Sequence, residues 1–263
     1  MSEQTPAAGV PALEARNLVK RYGSVEALRG ASFTAGAGEV VALIGDNGAG
    51  KSTLVKCLSG AEQPTSGEIL LDGEPITLDS PTTARSHGIE TVFQDLAVAP
   101  DLDPAANLFL GRELRRAGIL GWLGMLDKKA MRHRAVAEFE RLGVRLQSVE
   151  VPIGSLSGGQ RQSVAVARSV VWANKIVFMD EPTAALGVVQ RERVLDVIKK
   201  VRDTGVSVVL ISHNMPEVLS VADRIEVLRL GRRVARFKSA DATLEDLVGA
   251  MTGALTQEED DAA

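Results

Sequence analysis

Three kinds of hydrophobic patterning succeed one another along the chain. Near the start, short apolar-rich segments at residues 13–20, 31–34 and 69–71 are separated by glycines at positions 23, 36, 38, 67 and 73. That spacing predicts a β-rich region with tight turns. Buried parallel strands are suggested at 40–44, 90–93, 176–179 and 206–211, the first and the last two largely apolar, as strands of a parallel sheet covered on both faces require. Helical patterns fall at 51–59, 127–142, 158–172, 188–202 and 216–222. Between about 96 and 172 no convincing strand interrupts the helices. The stretch is therefore expected to be a helical subdomain inserted between two halves of an α/β core. Residues 1–11, rich in Ala, Pro and Gly, and 254–263, with an acidic run at 257–261, are expected to be disordered tails flanking one domain at 12–253.

Composition narrows the picture. The 263 residues are 45% hydrophobic, enough for the core of one large domain. A formal net charge of −4 leaves no basic footprint, so no nucleic-acid partner is expected. Cys57, the single cysteine, excludes an intrachain disulfide and a cysteine-clustered metal site. The first residues lack the basic and apolar regions of a signal peptide, and the apolar runs are too short to span a bilayer. The expectation is a chain soluble by itself, reaching a membrane only through a partner.

The chemistry begins after the run at 40–44, with Gly45-Asp46-Asn47-Gly48-Ala49-Gly50-Lys51-Ser52-Thr53 and then a helical pattern. This is G-x-x-x-x-G-K-[ST] in the strand–loop–helix setting it requires. Glycines let successive backbone N–H groups point inward at phosphate oxygens, and the helix start adds its positive field. Lys51 is placed to reach the β- and γ-phosphates of a nucleotide, and the Ser52 hydroxyl to ligate Mg²⁺. Asp180 and Glu181 end the run at 176–179. They suit a carboxylate on hydrated Mg²⁺ and a general base for water, or, apart from the phosphate loop, a solvated turn. Leu156-Ser157-Gly158-Gly159-Gln160 opens an amphipathic helix. It can serve as a second anion site, although Ser-Gly-Gly alone favours an ordinary capped helix start.

The whole pentapeptide in a phosphate-loop protein resembles the ABC ATPase family, whose signature it is, and the resemblance extends over about residues 12–253. It implies a P-loop NTPase fold with a RecA-like α/β core, an antiparallel β subdomain and an inserted helical subdomain. It also implies ATP hydrolysis with Mg²⁺. Asp180 then holds Mg²⁺ with Ser52 and Gln94; Glu181 is the base; Val92-Phe93-Gln94 resembles the Q-loop and Ser212-His213-Asn214 the switch histidine. Tyr22 matches the aromatic that stacks on adenine, while His87 and His133 match nothing. The resemblance implies a head-to-tail homodimer, with residues 157–160 of one copy completing the site of the other. One departure stands out: Ala184-Ala185-Leu186-Gly187 replaces the usual S-A-L-D, so Gly187 supplies no carboxylate to the partner subunit.

Within the family, single uninterrupted motifs and absent membrane helices argue against fused exporters, two-cassette translation factors and coiled-coil repair ATPases. Val177 breaks the N-K-x-D pattern of GTPases at Asn174-Lys175. The stretches at 92–97, 106–113, 156–168 and 182–187 are similar to monosaccharide importers, in their single-cassette branch. That similarity implies separate membrane permease subunits, an indirectly acting periplasmic sugar-binding protein, and a cytoplasmic position on the inner face of the plasma membrane. Leu96, Val98, Leu102 and Leu108 are candidates for a permease-facing groove, and equally for ordinary core positions.

Overall fold

A computed structural model of the chain describes residues 10–92, 98–146, 148–184 and 186–255. The early segments form an antiparallel sheet of β1 (Leu13–Tyr22), β2 (Val25–Ala35), β4 (Ser66–Leu71) and β5 (Glu74–Ile76), in the order β2-β1-β4-β5. The expected parallel strands become β3 (Val40–Ile44), β6 (Ile89–Val92), β7 (Ile176–Asp180) and β8 (Ser207–Ile211), β6 carrying a buried Glu90 that Arg112 meets at 2.6 Å. With β9 (Arg224–Arg229) and β10 (Arg232–Lys238) they build a second sheet, β10-β9-β3-β8-β7-β6, parallel except for β10.

Continuous hydrophobicity has its physical reason in this second sheet, which is covered on both faces. Val40, Ala42, Ile44, Val177, Met179, Val208 and Leu210 point to one side. The same apolar core takes in α6 (Gly158–Trp172), α7 (Val188–Asp203), α8 (Met215–Val221) and α9 (Leu244–Thr252), and continues past α6 to α5 (Lys128–Arg141). Val41, Leu43, Phe178, Val209 and Ile211 point to the other side, against α1 (Lys51–Leu58) and Leu13, Leu18, Leu28 and Phe33 of the first sheet. Each such large side chain removed from water stabilises the fold by about 1.5–3 kcal/mol before entropy is counted.

Between β6 and β7 the described residues are helical. α2 (Pro81–Ser86) leads into β6; beyond it α3 (Pro104–Leu108) and α4 (Ile119–Trp122) precede α5 and α6, and the only β pairing among the described residues there is an isolated bridge between Arg115 and Leu126. Leu108 is fully buried, so of its two readings the core position holds; Leu102 stays partly exposed. Leu96 and Gln94 lie outside the described residues, as do residues 1–9 and 256–263 of the expected tails.

β9 and β10 carry no clean apolar run and were not expected. Ile225 and Val227 are buried, but they alternate with Arg224 and Glu226, whose charges are neutralised inside. Arg224 grips Glu39 at 2.8 Å and 2.9 Å and also meets Glu226, which Arg236 reaches at 2.9 Å. Burying a carboxylate is tolerable only with such partners. A β-strand thereby looks like a polar segment.

Candidate functional site

β3, β8 and β7 lie side by side, so their C-terminal ends (Ile44, Ile211 and Asp180) open on one crevice. Loops at strand C-termini are where open α/β sheets gather their ligands. The loop leaving β3 curls through left-handed glycines, Gly48 at φ 79° and Gly50 at φ 103°, before α1 begins. Gly45 lets the loop pass hard against β9, since a Cβ there would sit 2.2 Å from the Leu228 carbonyl oxygen. No side chain caps α1 and no acid stands in its first turn. Its leading N–H groups are thus left for an anion. Asp46, Asn47 and Ser52 are exposed around the loop, and Ala49 is buried beneath it. The Lys51 ammonium donates to the carbonyls of Gly45 at 2.6 Å and Asp46 at 3.0 Å. Burial holds its pKa below the ordinary lysine value, opposed by the charges of Glu181, Asp46 and Asp180.

The electrostatics tie the loop to β7. Burial raises the Asp180 carboxyl pKa, the Glu181 charge raises it further, and Lys51 pulls it down. Glu181 sits in the left-handed region at φ 50°, with its N–H donating to Ile211 O at 2.9 Å. The strained turn aims its carboxylate across to the loop after β8, where His213 Nδ1 lies 2.7 Å from Glu181 Oε1. His213 is otherwise open to solvent, its side chain 77% exposed. Two residues far apart in sequence are thus joined at one point.

A hydroxyl at Ser52 and a carboxylate at Asp180 are the hard oxygen donors that Mg²⁺ prefers. Among the described residues no group of three or more His, Cys, Asp or Glu forms a metal cage. The donors present fit an ion carried largely by phosphate and water.

Tyr22 ends β1 beside α1. Its hydroxyl donates to Glu62 and bonds the Thr53 side chain, and the Lys20 ammonium lies 5.2 Å from the ring centroid. Partial burial, then the Glu62 hydrogen bond, push the phenol up to about 12. Ser157 caps α6 in a reciprocal box: Gln160 N–H donates to Ser157 Oγ at 3.3 Å, and Ser157 N–H to Gln160 Oε1 at 3.1 Å. No hydrogen bond or ion pair among the described residues joins 157–160 to 45–53. Instead Gly159 lies against Gln190 of α7, where a Cβ would come within 2.4 Å of Cγ, while Gly158 faces open space. The same Gln190 would meet a Cβ at Gly187 at 2.7 Å, so this side chain fills the room a larger residue would take.

Two residues escaped sequence reasoning. Glu62 holds Tyr22. Buried Glu217 accepts from Thr183 Oγ1 at 2.5 Å and from Asn214 Nδ2 at 2.8 Å, clamping the segment after Glu181 to the residue after His213. No local motif announces contacts between residues so distant in sequence. The signal available was weak: an acid three residues beyond Asn214, the spacing of a helix N-cap.

With this geometry stands the match of residues 28–184 to the ABC transporter family model. The chain belongs to the ABC transporter family. It is an ATP-binding cassette with the P-loop NTPase fold. A fructose import ATP-binding protein of Rhizobium meliloti is 54% identical over 93% of this chain and 95% of its own. A xylose/arabinose import ATP-binding protein of Sulfolobus acidocaldarius is 42% identical over 91% and 93%. Among solved structures, a dimeric ATP-binding cassette in a post-hydrolysis state with ADP and Pi superposes with a TM-score of 0.70. It is 26% identical to this cassette, covering 86% of this chain and 98% of that one.

Proposed function

We propose that this cassette is the ATP-hydrolysing motor of a monosaccharide importer, working through separate membrane permease subunits. The observation that carries the chemistry is the Glu181–His213 contact at 2.7 Å, beside the Lys51 loop at the ends of adjacent strands. Similarity to sugar import ATP-binding proteins along nearly the whole chain supports the transport role.

In this reading Lys51 and the N–H groups of the loop and α1 bind the phosphates, with Ser52, Asp180 and Gln94 holding Mg²⁺. Bound there, Mg²⁺ neutralises phosphate charge. Glu181 accepts a proton from the attacking water as its oxygen bonds to the γ-phosphorus and the bond to ADP breaks, giving ADP and inorganic phosphate. His213 fixes the Glu181 carboxylate for that transfer, and Tyr22 stacks on adenine. Residues 157–160 close on the nucleotide of a second copy, to which Gly187 offers no carboxylate. Ligand-driven closing and opening moves the permease, which receives sugar from a periplasmic binding protein, while the cassette works on the cytoplasmic face.

Glu181→Gln should retain ATP binding and slow hydrolysis by about 10²-fold or more, the usual worth of a positioned base. Lys51→Ala should instead weaken binding itself, because its charge meets phosphate in the ground state. Near-normal turnover in Glu181→Gln would remove Glu181 from the role.

A further inference from the structure

An apolar ridge lies along the chain between α3 and α5. Residues 114–126 run out and back: Arg116 N–H donates to Met125 O at 2.9 Å, and Asp127 N–H to Leu114 O at 2.7 Å. At the tip Trp122 is 85% exposed, Ile119 78% and Leu123 64%, and Leu120 and Met125 are exposed beside them. None of these belongs to either hydrophobic core. Isolated apolar residues on a surface need no explanation; several adjoining at one protruding tip do.

The tip sits in a basic collar. Arg115 and Arg116 precede it, Lys128 and Lys129 follow it, and all four are exposed. Between residues 114 and 131 the single carboxylate is Asp127, which accepts from Ala130 N at 3.0 Å to cap α5. This local excess of cations stands on a chain whose net charge is −4. From 118 to 126 the only nitrogen or oxygen on any side chain is the Trp122 indole N–H. A protein partner ordinarily answers an interface with a hydrogen bond per 100–200 Å²; the headgroup–acyl boundary of a bilayer asks for apolar wedges, an indole and nearby cations.

The geometry points to this ridge as a docking surface for an anionic phospholipid membrane. Trp122, Ile119 and Leu123 seat in the headgroup–acyl boundary, and Arg115, Arg116, Lys128 and Lys129 meet the lipid phosphates. The importer reading brings a membrane within reach, but the binding chemistry is the cassette's own, without the permease.

The test is flotation of the purified full chain with protein-free vesicles of phosphatidylcholine alone or mixed with phosphatidylglycerol. The chain should float with phosphatidylglycerol and less so as salt rises, each basic side chain strengthening binding about fivefold. Tryptophan emission should shift to the blue. Trp172 is held edge-on to Phe109 with its N–H on Leu108 O at 2.8 Å, so the shift should belong to Trp122. Trp122→Ser should abolish the shift and weaken flotation about tenfold, Trp122→Phe should retain flotation, and Lys128→Glu with Lys129→Glu should remove the phosphatidylglycerol preference. Unchanged ATP hydrolysis in Trp122→Ser shows that the variant is folded. A chain that ignores anionic vesicles, or floats equally well as Trp122→Ser, overturns the proposal. Flotation only with permease-containing vesicles also overturns it, assigning the ridge to a protein. Either failure leaves the importer reading to stand or fall on sugar uptake.

Discussion

Tyr22 gives the most direct residue-scale measurement, because it is the only tyrosine in the chain. Its phenol is raised to about 12 from an ordinary 10.0 by partial burial and then by the Glu62 carboxylate, which accepts its proton and disfavours phenolate. A raised folded pKa means stabilisation that is full below 10 and lost as pH climbs towards 12. Near-ultraviolet titration should give one late transition, returning towards the ordinary value in Glu62→Gln. A wild-type midpoint at the ordinary value would contradict the contact. At this scale most site residues were legible: Lys51, Asp180, Glu181 and His213 each stand in a local motif. Glu62 and Glu217 were not, since what defines them is a contact that only the folded chain creates.

The elements that position these residues depend on close backbone approaches as much as on hydrophobic pattern. Gly45 has φ 151° and lies against the Leu228 carbonyl. Gly45→Ala should destabilise the nucleotide-free chain by about 1–3 kcal/mol, the cost of overpacking, and should weaken ATP binding; an unshifted thermal transition would contradict that packing. Strands β3, β7 and β8 were readable because burial on both faces makes nearly every residue apolar, Ser207 and Asp180 at the strand ends excepted. β9 and β10 were hidden because Arg224 and Glu226, ion-paired to Glu39 and Arg236, interrupt the apolar pattern, whereas the signals of α9, the Thr243–Asp246 capping box and the apolar spacing that buries Leu247 and Ala250, were present in the sequence and went unread. Ser157 tests a different element. Ser157→Ala should cost the α6 cap about 1 kcal/mol, a loss that equilibrium unfolding separates from any effect on hydrolysis.

For the whole molecule, the site in one chain holds the phosphate loop, Asp180, Glu181 and His213, while the cap at Ser157 bonds only within itself. A second copy is the simplest way to bring that cap to a nucleotide. The specific ATPase activity of the isolated cassette should therefore fall on dilution at saturating ATP, as dimers dissociate; constant activity from particles that scatter as monomers would contradict the shared site.

The central claim is that hydrolysis at this site drives monosaccharide uptake, and reconstitution tests it most directly. The cassette and its permease would be placed in vesicles with the binding protein and labelled monosaccharide outside, fructose being the first choice from the 54% identical relative, and ATP beside the cassette. The account predicts sugar accumulation that requires ATP and disappears with Glu181→Gln while nucleotide binding persists. Steady hydrolysis by the assembled complex with no accumulation of any monosaccharide, or accumulation undiminished in Glu181→Gln, would contradict it.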